Sequence, residues 1–394
     1  MPRALIVFAI LAVSQVIGWG AVGFLAAVAS AVAEDIGLTL PGVFLGTSVM
    51  FVAMGLGAPL AGRGFARFGV RRVMAAGALL IGVGLAVIAA AQGRVVFLAG
   101  WAVVGAAGAM FLTTAAYVYL SDFAGELARG TIGTLMLVTG LAGSLFWPVT
   151  AWLEQAIGWR GAALAYAGTM AALVAPLVLL GLPETHGHGA SAAVPTRRPL
   201  LRERVFLLIL AAVALNGFVT FGIEAVGIEL FRALGADTAR AVAIASLLGV
   251  FKVGGRLIDL AGGHRWDGLS TAILAGAMIP LGLLAVAFGG ATGWAVAGYL
   301  GLFGIGSGAF AVARATMPLT FYRRADYAAT MSAIALPLNL INALAAPALA
   351  ALLVTTGPRA VLVALAVFSA AAWLCLLQLG RLRPGPLAAD GVRG

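Results

Sequence analysis

Gly62-Arg63-Gly64-Phe65-Ala66-Arg67-Phe68-Gly69-Val70-Arg71-Arg72 closes one long apolar stretch and opens the next. A degraded copy, Gly255-Arg256-Leu257-Ile258-Asp259-Leu260-Ala261-Gly262-Gly263-His264-Arg265, begins 193 residues later. Each copy has a glycine first, a second glycine seven positions on, and a basic end. The displacement is about half of the 394 residues, so the copies stand at equivalent points of two halves. A duplicated, very apolar chain points to two helical bundles with a pathway between them.

Composition agrees. Hydrophobic residues make up 62% of the chain and charged residues 10%, against roughly 45–50% and about 25% in ordinary globular proteins. The excess falls in runs of the ~20 residues that cross a bilayer core as helix. The expected spans are 5–32, 42–61, 73–91, 95–119, 132–153, 161–182, 205–230, 239–259, 269–289, 293–317, 328–354 and 359–380. The first run is too long for a signal peptide, and no polar mature domain follows a small-residue cleavage site. The 54 glycines suit close helix packing in lipid. A membrane β-barrel would instead read as ~10-residue segments of period two. The expected fold class is therefore an all-α membrane protein of twelve transmembrane helices in two pseudo-symmetric six-helix bundles.

A net charge of +10 would suggest nucleic acid in a soluble domain. Its distribution argues otherwise. With the N-terminus cytoplasmic, sixteen basic residues fall inside: Arg3, Arg63, Arg67, Arg71, Arg72, Arg129, Arg197, Arg198, Arg202, Arg204, Arg265, Arg323, Arg324, Arg381, Arg383 and Arg393. Five fall outside (Arg94, Arg160, Arg232, Arg240, Arg359), and Lys252, Arg256 and Arg314 lie within spans. That bias is the positive-inside rule and places both termini in the cytoplasm of an inner-membrane protein. The single cysteine, Cys375, cannot form an internal disulfide.

The longest polar stretch, Pro183 to Arg204, divides the spans six and six. His186 and His188 within it have no further carboxylate or cysteine ligand for a metal site, so it reads as a solvated linker. The expected organisation is an N-terminal bundle 1–182, a cytoplasmic linker 183–204, and a C-terminal bundle 205–394 ending in a short cytoplasmic tail.

These features resemble the major facilitator superfamily over essentially the whole chain. They are twelve spans split six and six, a basic loop after span 2 and a weaker copy after span 8. The superfamily loop usually carries an acidic residue at its fifth position, where this chain has Ala66; Asp259 fills that place in the second copy. The resemblance implies that Gly62, Arg67, Gly69, Arg71, Arg72 and Asp259 form gating loops, the first without its usual carboxylate. A finer resemblance is to the bacterial branch related to monocarboxylate porters. It rests on Ile17-Gly18-Trp19-Gly20, Phe146-Trp147-Pro148, Gly158-Trp159-Arg160, Lys252-Val253-Gly254-Gly255-Arg256 and Arg314-Ala315-Thr316-Met317-Pro318-Leu319. The Gly-Pro signature of drug antiporters in span 5 is absent, since Gly140 and Gly143 lead only to Ser144 and Pro148. In the porters an arginine of span 8 contacts the substrate carboxylate, and Arg256 matches its place. An aspartate for proton coupling usually stands four residues earlier, where this chain has Lys252.

Polar groups at mid-membrane are costly and face the bundle interior. With each span's centre as the midplane, Gln15, Trp19, Ser144, Asn216, Lys252, Asn339 and Asn342 form a candidate substrate-binding set, together with Arg256. The amides can hold a substrate or glue helices together. Lys252, the sole lysine of the chain, and Arg256 at i+4 share a helix face and repel. An anionic ligand, a carboxylate on a neighbouring span, or water must offset them. Snorkelling to the cytoplasmic interface is open to Arg256 and strained for Lys252. Glu224 lies ~10 Å to the outer side of its span's centre and is the candidate for proton coupling. Arg314 reads as an anchor near the cytoplasmic end of span 10.

No catalytic constellation appears, and no phosphate-cradling Gly-x-x-x-x-Gly-Lys-Ser/Thr loop is present, so an enzyme, a direct user of ATP and a resident cofactor are not expected. The expected function is secondary transport of a small organic anion by alternating access, coupled to an ion gradient or to exchange. Its partners are the substrate, protons and the lipid bilayer, with no nucleic acid, and the chain acts as a monomer. Two alternatives remain open: an exporter of drug-like or amphipathic compounds, and a non-transporting receptor or assembly factor on a transporter scaffold.

Overall fold

Gly130–Gly181 is a single apolar, largely helical stretch of 52 residues, about 78 Å at ~1.5 Å per residue and far more than the ~30 Å of a bilayer core. Gly158 divides it: its φ of 71° and ψ of 167° break the helix there and let the chain turn back. Eleven stretches long and apolar enough to cross a membrane thus become twelve spans. The computed structural model describes residues 2–185, 202–262, 267–322 and 324–383, and all regular structure among the described residues is helical. His186, His188, His264 and most of the expected linker lie outside the described residues, as does the basic end of the second loop copy.

The chain forms two compact units, Met1–Ser191 and Ala192–Gly394. The first holds α1 (Pro2–Val22), α2 (Leu25–Ile36), α3 (Leu40–Phe68), α4 (Val70–Ala89), α5 (Arg94–Phe111), α6 (Thr113–Ala124), α7 (Ala128–Thr139), α8 (Ala142–Thr169) and α9 (Ala175–Gly181). Three of its spans are discontinuous. Span 1 is α1 and α2 with a turn at Gly23–Phe24, span 4 is α5 and α6 with extended Leu112 between them, and span 5 breaks between α7 and α8. Helix starts use ordinary signals, as where the Thr39 side chain accepts from Gly42 N at the N-terminus of α3.

The second unit holds α10 (Arg204–Ala233), α11 (Thr238–Gly262), α12 (Gly268–Gly289), α13 (Gly293–Gly298), α14 (Ile305–Thr316), α15 (Arg324–Thr356) and α16 (Pro358–Arg381). Its span 10 is α13 and α14 joined by a wider helical turn, Tyr299–Gly304. Asp267 caps α12 by accepting from Ser270 N at 2.9 Å and pairs with Arg383 beyond α16.

Missing side chains let backbones approach. A Cβ on Gly105 of α5 would strike the backbone carbonyl of Met50 on α3, and Cβ atoms on Gly84 and Gly100 would each lie 3.0 Å from the other's carbonyl oxygen. Large apolar side chains such as Leu56, Val95, Leu180 and Phe288 are exposed, an exterior that suits lipid rather than water. At the end of the first unit remote from the N-terminus, Trp159 Nε1 and Arg160 Nε both donate to Asp35 Oδ2, at 2.9 and 2.8 Å. Arg160 also donates to the carbonyl of Ala89, so one guanidinium ties together the ends of spans 1, 3 and 6.

Candidate functional site

Lys252 makes a salt bridge with Glu224, and the two come from antiparallel neighbours, α11 and α10. The short connection around Gly235, at φ 92°, sets their register. Glu224 stands ten residues before Leu234 and Lys252 fourteen after Thr238, a mismatch of about 6 Å along the axes. Side chains lean toward their own helix N-terminus. Because the helices run oppositely, Glu224 and Lys252 lean toward one another and close the gap. The same lean carries Lys252 away from the end where snorkelling would take it. Lys252 is 7% exposed.

Two glycines press α11 onto α14. A Cβ on Gly255 would strike the carbonyl of Ile305, and one on Gly308 would strike the carbonyl of Lys252 itself. This brings Arg314 of α14 close enough to act electrostatically on Lys252, as does Arg256 one turn along α11. Tyr299, buried between Phe231 and Phe303, lies within range of the Glu224 charge. The Lys252–Glu224 pair thus stands inside membrane spans with Arg256 and Arg314 acting on the lysine.

Asn216 of α10 and Asn342 of α15 are buried in the same unit, and Oδ1 of each lacks a hydrogen-bond partner. The place a Cβ would take on Gly217 lies 2.9 Å from Asn342 Oδ1, so the Asn342 amide packs against the α10 backbone at the residue after Asn216. Asn339 lies on the exposed part of α15 and does not join them.

The first unit puts its candidates to a different use. Extended Leu112 takes the chain out of α5, and the preceding Phe111 carbonyl accepts from Gln15 Nε2 at 2.8 Å. Just past the break, Thr113 Oγ1 accepts from Trp19 Nε1 at 2.9 Å. Gln15 and Trp19 therefore bind span 1 to the interrupted part of span 4. Gln15 Oε1 and Ser144 Oγ are buried without a partner. Phe146 packs on Gly20, and Trp147 Nε1 donates to the Gly23 carbonyl at 3.3 Å.

The loop after span 2 receives a carboxylate from elsewhere in the chain. Glu184, two residues beyond Leu182, sits 2.6 Å from Arg71 Nη2 and 3.5 Å from Arg72 Nε as an ion pair without an aligned hydrogen bond. Arg71 also donates to Leu182 O at 3.2 Å, and Val70 N to Thr185 O at 2.8 Å. Gly69 must be glycine twice over: its φ is 85°, and a Cβ would strike Glu184. The loop's own fifth position, Ala66, still carries no acid, and Glu184 supplies one to Arg71 and Arg72 from beyond span 6. Arg67 is exposed and stacks over neighbouring Phe68, while Gly62 is half-buried. In the second copy, Asp259 Oδ1 accepts from Thr271 Oγ1 at 2.7 Å.

Residues 8–302 match the family model described as Major Facilitator Superfamily. The chain belongs to this superfamily. Its fold is that of solved superfamily-type transporters across nearly its full length. A bacterial homolog to the human lysosomal transporter Spinster, inward-facing and occupied, aligns with 98% of this chain and 99% of its own at TM-score 0.72 and 16% identity. A D-xylose-proton symporter aligns with 97% of this chain and 98% of its own at TM-score 0.75 and 14% identity. The human organic anion transporter MFSD10 (TETRAN) aligns with 95% of this chain and 100% of its own at TM-score 0.62 and 16% identity. No curated protein sequence matches this one. The chain is thus a multi-pass membrane transporter of the superfamily.

Sequence reasoning passed over Glu184, Asp35 and Tyr299. Glu184 and Asp35 carried one available signal each: a lone acid near unpaired arginines, and an acid at a span end opposite Trp159-Arg160. Tyr299 carried none, because an aromatic residue inside a span reads as core.

Proposed function

We propose that this superfamily member is a secondary transporter of a small organic anion of the carboxylate type, working by alternating access. The observation that carries the reading is a buried lysine inside a span, Lys252, paired with Glu224 and within electrostatic reach of Arg256 and Arg314. Inside hydrocarbon a cation demands a counter-ion, and a substrate carboxylate can take the place of Glu224 as that counter-ion. Glu224 then competes with the substrate for Lys252. A proton on Glu224 frees the lysine for the anion, which links one proton to one substrate carboxylate. The fold serves an organic anion transporter and a proton symporter elsewhere, so it accommodates both the cargo and the coupling.

The proposed setting is an inner membrane with both termini cytoplasmic. Bundles 1–182 and 205–394 are joined by a cytoplasmic linker, 183–204, and the chain acts as a monomer. The loops bearing Gly62, Arg67, Gly69, Arg71, Arg72 and Asp259 act as gates.

Two measurements test the cargo. A thermal-shift screen of the purified protein against mono-, di- and tricarboxylates, amino acids and drug-like cations should show stabilisation by carboxylates, since a ligand stabilises the state it binds. Lys252→Ala and Arg256→Ala should each weaken transport of that ligand. A lost charge-assisted contact is worth about 1.5–3 kcal/mol, roughly ten- to a hundredfold in affinity. Stabilisation by cations alone, or normal affinity in both variants, would remove the organic-anion reading.

A further inference from the structure

The outward faces of α3 and α4 end together in arginines. On α3, Val52, Leu56, Leu60, Arg63 and Arg67 recur at spacings of three and four and so share one face. All five are exposed, Leu56 to 76% and Leu60 to 67%. On α4, Arg72, Leu79 and Val83 share a face in the same way and are likewise exposed. The turn at Gly69, φ 85°, joins the two helices and brings Arg63, Arg67 and Arg72 to one end.

The two faces adjoin. α3 meets α4 at Gly64, where a Cβ would lie 3.5 Å from Val73 Cγ2. Arg63 and Arg72 each precede one of these contact residues, about 100° back around the helix. Because the helices run oppositely, both arginines fall on the same side of the hairpin. Arg63 and Arg67, at i and i+4, repel, and neither pairs with a carboxylate among the described residues. Arg67 stacks over the exposed ring of Phe68 at 5.2 Å. Arg71 holds Glu184 at 2.6 Å, while Arg72 reaches that carboxylate only at 3.5 Å and keeps its side chain 65% exposed. Orientation alone accounts for basic residues at a span end. It does not account for three on one face that carries apolar side chains beneath them and no acid.

We propose that this face of the α3–α4 hairpin binds an anionic phospholipid, with its phosphate at Arg63, Arg67 and Arg72 and its acyl chains along Leu56, Leu60 and Val83. Guanidinium groups present paired N–H donors that match phosphate oxygens, and basic clusters at the ends of membrane helices attract anionic headgroups. The apolar part of the face selects the lipid over a soluble anion. A free phosphate would cover the arginines and leave Leu56 and Leu60 exposed, whereas a lipid covers both. The site is separate from Lys252 and Glu224 and does not depend on the cargo.

The test is native mass spectrometry of the purified full chain in detergent, titrated in turn with phosphatidylglycerol, phosphatidylcholine and glycerol 3-phosphate. Phosphatidylglycerol should bind at least about fivefold tighter than phosphatidylcholine, and glycerol 3-phosphate should not displace it. Arg63→Gln and Arg67→Gln should each weaken phosphatidylglycerol about fivefold and leave phosphatidylcholine unchanged. Arg94→Gln removes the same charge from another exposed position of the first unit and should have no effect. The substituted arginines are exposed, and unchanged circular dichroism melts verify that the variants are folded. Equal affinity for the two lipids in the unmodified protein overturns the inference. So does an equal loss in Arg94→Gln, which would show an effect of net charge rather than a site. Displacement by glycerol 3-phosphate would assign the arginines to a soluble anion, and a dimer that excludes lipid would assign the face to a second copy of this chain; either result also overturns it.

Discussion

Lys252 and Glu224 are each expensive alone in hydrocarbon and far less so together. Removing one partner of a buried pair strands the other as an uncompensated charge, which costs about 3–5 kcal/mol when both are fully buried. Glu224 is 37% exposed at its side chain, so solvent screening lowers the expected coupling to about 1–2 kcal/mol. Thermal unfolding of Lys252→Met, Glu224→Gln and the double variant should therefore show each single change lowering Tm. The double change should fall by less than the sum of the two. Additive losses would mean the pair contributes nothing as a pair. The sequence singled out both residues for being charged inside spans, but not their pairing. Taking each span's centre as the midplane put Lys252 on one side and Glu224 on the other. The midplane need not cross α10 at its centre, and the opposed lean of the two side chains spans what separation remains. The same limit hid Glu184, since an acid just past a span end looks like ordinary solvated loop until Arg71 is folded against it.

At the scale of elements, the spans were legible from apolar length, and their interruptions were not. The break in span 4 falls at Leu112, a residue with no turn chemistry. It is held open by partners on span 1, Gln15 at the Phe111 carbonyl and Trp19 at Thr113. Such a break is written in a tertiary hydrogen bond, not in local propensity. Discontinuous spans are how membrane transporters expose backbone near a substrate path, so the first unit's candidates shape the break more than they present free side chains. Glycines show the complementary case. Gly308 and Gly254 look alike in the sequence, yet a Cβ on Gly308 strikes the Lys252 carbonyl and one on Gly254 meets nothing within 4 Å. Gly308→Ala should cost about 1–3 kcal/mol of stability by forcing α11 and α14 apart, and should disturb ligand binding with it. Gly254→Ala should be neutral or slightly stabilising through the better helix propensity of alanine. Circular dichroism melts of the two variants separate these outcomes, and equal Tm values would contradict the close approach of the two helices.

For the whole molecule, the duplicated loop, the apolar runs and the basic bias made twelve spans in two bundles readable before any coordinates, and the fold agrees. The apolar stretch Gly130–Gly181 turns back at Gly158, inside the gap between the expected spans 132–153 and 161–182. The proposed orientation has a direct check. With Cys375 replaced, a cysteine at Ser191 in the proposed linker should resist an impermeant thiol reagent in intact cells and react in inside-out vesicles. Labelling from outside would reverse every assignment of sides. The central claim joins cargo to coupling: an organic anion and a proton compete through Glu224 for Lys252. Its most direct test is uptake of the identified carboxylate into proteoliposomes, with and without an imposed pH gradient, for the unmodified protein and for Glu224→Gln. The account predicts that the unmodified protein accumulates substrate when the gradient is imposed. In Glu224→Gln, counterflow down the substrate's own gradient persists while the pH-driven accumulation disappears. Accumulation by Glu224→Gln equal to that of the unmodified protein would contradict the account, leaving exchange or facilitated movement without proton coupling in its place.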